Sequence, residues 1–325
     1  ILSVAAALPF QWLLSGPFAV WEFVRTHLFW LVIVLAVMLV ILEPGMLGPE
    51  AWHDTFRAGC AKAASVLILV LSSAYGLLLS QLPYKAYLPV PPSPLLPALS
   101  GLFGGATVLA SLVVTAKLPH QFLRVRHRDV KIPGAAAALG SGVVAGATMS
   151  VLPGLTNASA TALATMLRKG TNEETIVSVS AVNTANAMFN LVVLYLYGRT
   201  RSGAVVAMKD LWSVDTWYDR VPIDLANFGI VALLTGFGSM LITLAIGKHT
   251  VRQIQRVPYR GLSWGVLAYM VATVAVFTGA AGLLVFAVGI AIGTLPVKLG
   301  LQRVALTGVL LGPVLVYLAP AALTF

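Results

Sequence analysis

Two clusters of small polar side chains stand inside apolar sequence, and their types suit coordination better than catalysis. In the first, Pro153 and Gly154 interrupt a hydrophobic run, and Thr156, Asn157 and Ser159 follow at once. In the second, ETIVSVSAVNTANAMFNLVVLYLYG over 174–198 carries Ser180, Asn183, Asn186 and Asn190, with Thr184 beside them. Their spacing puts the serine and the asparagines on one stripe of a helix. Each amide brings donors and acceptors that need partners in a low-dielectric medium. Asn and Thr oxygens suit Na+. The amide donors, with a half-helix N-terminus at the Pro-Gly break, suit a carboxylate or phosphate. The rival role for the asparagines is interhelical glue, worth about 1 kcal/mol each.

The elements that hold these clusters are membrane helices. Hydrophobic residues make up 58% of the 325-residue chain and charged residues 10%, against roughly a quarter charged in soluble domains. Windows 27–43, 58–80, 94–116, 174–198, 222–247, 262–279 and 304–323 are long enough to be read as spans, and 281–296 is a shorter one. The expected fold class is an all-α polytopic membrane protein of about 8–10 spanning or re-entrant segments, with a broken-helix hairpin. Nothing divides residues 1–325 into separate domains. The chain opens at Ile1 inside an apolar run without an initiating Met, so an incomplete N-terminal part is expected.

The net charge of +10 is topological and does not point to nucleic acid. Lys117, Arg124, Arg126, Arg128 and Lys131 face only Asp129 in one loop, and Lys248, Arg252, Arg256 and Arg260 share another without an acid. Segment 199–224 instead balances four basic residues against four aspartates. The positive-inside rule makes loops 117–131 and 248–260 cytoplasmic, in a multi-pass cell-membrane protein. Parity then requires 134–169 to enter and leave on one side, as a hairpin bent near Pro153-Gly154. Two arms of about 15 residues, roughly 22 Å each, would fall short of the ~30 Å hydrocarbon core.

Enzyme chemistry finds no foothold. The five histidines form no HExxH or ligand set, and no GxSxG elbow or P-loop occurs. Cys60 is the single cysteine, which leaves no disulfide framework or thiolate metal site. No Asp or Glu lies deep in a span, so a carboxylate proton relay has no candidates.

Four stretches carry a family resemblance: PLLPALSGLFGGATVLAS (94–111), GVVAGATMSVLPGLTNASATALA (142–164), VNTANAMFNLVVLYLYGRTRSGAVVA (182–207) and IGTLPVKLGLQRVALTGVLLGPVLVY (292–317). Together they resemble the large permease subunit of tripartite tricarboxylate transporters, in particular a stand-alone prokaryotic branch best represented in archaea. The resemblance implies an inverted-repeat secondary transporter with a Pro-Gly hairpin in each half. Residues 1–116 would be the remainder of the first half, and 117–325 the second half with hairpin 134–169. No comparable Pro-Gly motif lies upstream of residue 94. A small membrane subunit, an extracellular binding protein and a homo-oligomer are partners implied by analogy, alongside membrane lipids.

The expectation is a permease moving a small di- or tricarboxylate-like anion, with no cofactor and with Na+ or H+ as coupling ion. Its site would comprise Pro153, Gly154, Thr156, Asn157, Ser159, Asn183, Thr184, Asn186 and Asn190. Two alternatives stay open: transport of a lipid-linked anion such as a polyprenyl phosphate, and a non-transporting accessory subunit of a membrane complex.

Overall fold

A computed structural model describes residues 7–15, 20–41, 55–87, 91–113, 132–152, 155–166, 171–217, 220–254 and 258–323. Among the described residues the chain is 86% helical with no strands, and seven helices are long and apolar enough to cross a membrane. The chain is an all-α polytopic membrane protein. Its helices are α1 (Ala7–Ser15), α2 (Val20–Thr26), α3 (Leu28–Ile41), α4 (Thr55–Leu79), α5 (Leu95–Val113), α6 (Ile132–Val151), α7 (Asn157–Met166), α8 (Asn172–Tyr197), α9 (Gly203–Leu211), α10 (Ile223–Ile254), α11 (Tyr259–Lys298) and α12 (Gly308–Leu323). A 3-10 turn, Arg303–Thr307, leads into α12.

Three sequence expectations are refined. The span expected over 27–43 is described as α3, Leu28–Ile41, which follows α2 across a bend of 81°, and the two together are apolar and long enough for a broken span or a re-entrant loop. The loop expected at 248–260 is helical as far as Ile254. Loop 117–131 lies outside the described residues. Third, the hairpin arms are unequal: α6 has 20 residues and α7 has 10. At 1.5 Å per residue α6 reaches about 30 Å, enough to cross the hydrocarbon, while α7 reaches about 15 Å.

The chain forms two compact units, Ile1–Leu31 with Leu123–Thr250 and Val32–Phe122 with Val251–Phe325. In the second unit, α11 runs for 40 residues, about 60 Å if straight and twice the hydrocarbon thickness. It is not straight. Gly279 sits at φ 68°, ψ −159°, a region open essentially only to glycine. The contacts of α5 show that the chain reverses there. Before the break, Ser263 meets Ser111 (3.2 Å between hydroxyls) and Met270 meets Gly104, so numbering runs oppositely. After it, Gly289 lies against Ala98 and Leu102, and Gly293 against Leu102 and Ala106, so numbering runs together. The windows 262–279 and 281–296 are thus two arms of one helical hairpin. One carbonyl near the turn has a partner from outside the helix, as Tyr87 N–H donates to Val276 O at 2.9 Å. Nearby, the Tyr75 hydroxyl donates to Val285 O at 2.7 Å.

Candidate functional site

In the first unit, α6 and α8 run parallel in close contact. The buried residues of α6 are Ala138, Gly142, Gly146 and Ser150, a row of four-residue steps. They face Ser178, Ala181, Val182 and Ala185 of α8: Gly142 is level with Ala181 and Gly146 with Ala185. Small residues let the two backbones approach, as is usual where helices associate in lipid. Because α6 and α8 point the same way, residues 152–171 must carry the chain back to the end where α6 began.

Helix α7 makes that return. Its Ala160 and Ala164 are buried with Val182 of α8, and Ala145 and Met149 of α6 lie against them. Further along, Ala164 and Thr165 share a small cavity with Ala138, Ser141, Glu174, Thr175 and Ser178, near the starts of α6 and α8. Helix α7 is therefore antiparallel to both, and its N-terminus lies one turn beyond Ala160, at the height of Asn186.

That N-terminus closes on itself. The Ser159 hydroxyl accepts the Thr156 N–H at 2.8 Å, and Thr156 Oγ1 accepts the Ser159 N–H at 3.2 Å. This is the reciprocal arrangement of a capping box, with Ser in place of the usual Glu or Gln. Ser159 is fully buried, Thr156 is half-buried and Asn157 is exposed. Pro153 and Gly154 lie outside the described residues. Of the residues expected at the break, Thr156 and Ser159 hold the helix end, and Asn157 presents its amide outward.

The carbonyl end of α6 is held by Arg201, one of the four basic residues of segment 199–224. The Arg201 guanidinium donates to the carbonyls of Met149 and Leu152, and to Leu155 O at 3.3 Å. A helix ends with four carbonyls lacking intrahelical partners, and cations favour that end. Here one arginine serves the last turn of α6 and both flanks of the break. The only sequence hint is its place just past Gly198, which ends α8 in the left-handed conformation at φ 64°.

Along α8 the expected polar stripe divides by exposure. Asn183 and Thr184, near the midpoint of this 26-residue helix, are exposed, and Asn186 is half-buried. Asn190 is 3% exposed; its Nδ2 donates to Asn186 Oδ1 at 3.0 Å, and its own Oδ1 has no partner among the described residues. An unpaired buried amide oxygen costs about 1–3 kcal/mol and suits a water, a cation or a substrate hydroxyl. The Thr184 hydroxyl turns back to the Ser180 carbonyl at 2.9 Å.

The arrangement brings the N-terminus of α7 and the Asn186–Asn190 pair to one height, with a cation at the adjoining break. It offers neutral donors, amide oxygens and one guanidinium, groups whose chemistry suits an anion or a partly hydrated cation. Among the described residues no three His, Cys, Asp or Glu side chains cluster to hold a metal.

The model of one family, described as "Tripartite tricarboxylate transporter TctA family", matches residues 1–308. No curated protein and no solved structure matches the chain.

Proposed function

Since the chain belongs to the tripartite tricarboxylate transporter TctA family, we propose that it is a secondary-active permease for a small di- or tricarboxylate-like anion. The observation that carries this reading is the exposure of Asn183 and Thr184 midway along a membrane-spanning helix. Polar side chains at that depth face a bundle interior or a water-filled cavity far more often than lipid. A broken helix beside them is the usual frame of a substrate site in secondary transporters. In this reading Asn157 and the backbone of Gly154–Ser159 hold the anion. The Asn183, Thr184, Asn186 and Asn190 stripe coordinates Na+ or substrate hydroxyls, with H+ the other candidate coupling ion. Arg201 keeps the break shaped and supplies positive potential there.

The membership also supports work with a small membrane subunit and an extracellular binding protein. The charge distribution supports cytoplasmic placement of loops 117–131 and 248–260.

Uptake of radiolabelled citrate, succinate and tartrate into proteoliposomes, with imposed Na+ or proton gradients, tests the proposal. Asn183→Ala and Asn157→Ala are expected to lower uptake at least tenfold while leaving the melting temperature within a few degrees. Undiminished uptake in both variants would overturn the site, and no gradient-driven uptake of any carboxylate would overturn the substrate class.

A further inference from the structure

Helix α6 has a second face that the polar site does not use. Val143, Val144, Ala147, Thr148 and Val151 turn away from the small-residue row and line an apolar cleft of about 580 Å³, together with α1, α2 and Phe189. That volume lies inside the roughly 300–1,000 Å³ range of small-molecule sites. Large apolar side chains on its walls are exposed: Leu13 at 44%, Phe23 at 56% and Val144 at 67%.

One end of this cleft is chemically different from the rest. Trp21, next to the lining residue Val20, stacks on Tyr197 with ring centroids 4.0 Å apart. The Arg199 guanidinium carbon lies 5.2 Å from the centroid of the same indole. Ser15, at the end of α1, is 3.0 Å from the Tyr197 hydroxyl. Leu152, which lines the cleft, gives its carbonyl to Arg201. Stacked Trp and Tyr favour the headgroup level of a bilayer, where an apolar body meets a polar edge. Two arginines at that level favour a negative headgroup.

We propose that this cleft is a site for one resident anionic phospholipid, with an acyl chain along Phe23, Val144, Ala147 and Val151 and its phosphate on Arg199 and Arg201. The match is one of charge and shape: apolar walls lead to a cationic, aromatic head, the reverse image of an anionic amphiphile. This site shares Arg201 with the break, but its apolar walls use the opposite face of α6 and its test needs no transport, so its failure and that of the carboxylate reading are told apart.

Native mass spectrometry of the full chain released from nanodiscs of equimolar phosphatidylglycerol and phosphatidylcholine reads it directly. One phosphatidylglycerol is expected to remain bound at least fivefold more often than phosphatidylcholine. Arg199→Ala should remove that preference, and Arg199→Lys should keep most of it. Val144→Trp fills the cleft from an already exposed position, and should release the lipid even if Arg199→Ala fails to fold. Equal retention of both lipids would overturn the proposal. So would wild-type retention in Val144→Trp, or Val144→Cys cross-linking two copies of the chain in place of a bound lipid.

Discussion

Gly146 and Ala185 set the spacing of the two helices that frame the polar site. A methyl added to Gly146 would stand 2.7 Å from the Ala185 Cβ and from the Val182 carbonyl. No rotamer relieves a clash with a backbone oxygen, so the helices themselves would have to part. Gly146→Ala is expected to cost about 1–3 kcal/mol, the usual range for overpacking. Thermal unfolding in detergent should show it, and Gly140→Ala, with nothing within 4 Å, is the matched control that should not.

Arg201 holds the broken end of α6 through Met149, Leu152 and Leu155. Arg201→Ala leaves those carbonyls to water, at a cost of about 1–3 kcal/mol for hydrogen bonds from a charged donor. Arg201→Lys should recover only part, since one ammonium cannot reach three acceptors with the geometry of a planar fork. Hydrogen exchange over 148–160 should rise in both variants, and most in the alanine.

Asn190 separates a structural role from a ligand role. Its amide donates to Asn186, yet its oxygen is buried without a partner among the described residues. Asn190→Leu removes the orphan oxygen with little change of volume, so stability is expected to stay within about 1 kcal/mol of wild type or to rise. Uptake should fall at least tenfold. Full uptake with raised stability would mean that the amide serves neither ion nor substrate.

Thr156 and Ser159 should behave differently from Asn157. Thr156→Val removes a helix cap worth about 1 kcal/mol and should lower the melting temperature, with uptake falling alongside. Asn157→Ala touches no internal hydrogen bond among those described and should alter uptake alone. The two variants are told apart by unfolding scans run beside transport.

Gly279 combines a left-handed φ with a close backbone neighbour. Its φ of 68° and ψ of −159° exclude other residues, and an added Cβ would lie 2.7 Å from the Lys85 carbonyl. Gly279→Ala is expected to cost at least about 1–3 kcal/mol in backbone strain. Gly198→Ala, left-handed but with open space around it, should cost about 1 kcal/mol. Melting temperatures of the pair should rank in that order.

The amino-acid sequence by itself determined the class of the molecule and the place of its interruption. Hydrocarbon admits only helices with satisfied backbones, so apolar length reads directly as a span. Six of the seven helices that pass as spans stand close to where composition puts them, and the seventh, Ile132–Val151, is the hairpin arm that proves long enough to cross. The span expected over 174–198 is α8, Asn172–Tyr197, within two residues at either end, where Thr171 and Gly198 act locally as caps. The break after α6 was legible from Leu152-Pro153-Gly154, and the polar stripe from its spacing.

Tertiary structure decided what those elements do to one another. The stripe looked uniform, yet only neighbouring helices make Asn190 buried and Asn183 exposed. Arg201 reaches a carbonyl 46 residues away in the chain, a pairing that no local pattern encodes. Each unit carries a Gly-x-x-x-Gly pair, Gly142/Gly146 and Gly289/Gly293, whose meaning is spatial. In each unit the pair lies against a helix running in the same direction, so the repeated feature is a close parallel approach. Hydrophobic length is a property of one segment and can be read from it. Burial, helix direction and the partner of a freed carbonyl are properties of two segments, fixed only when packing brings them together.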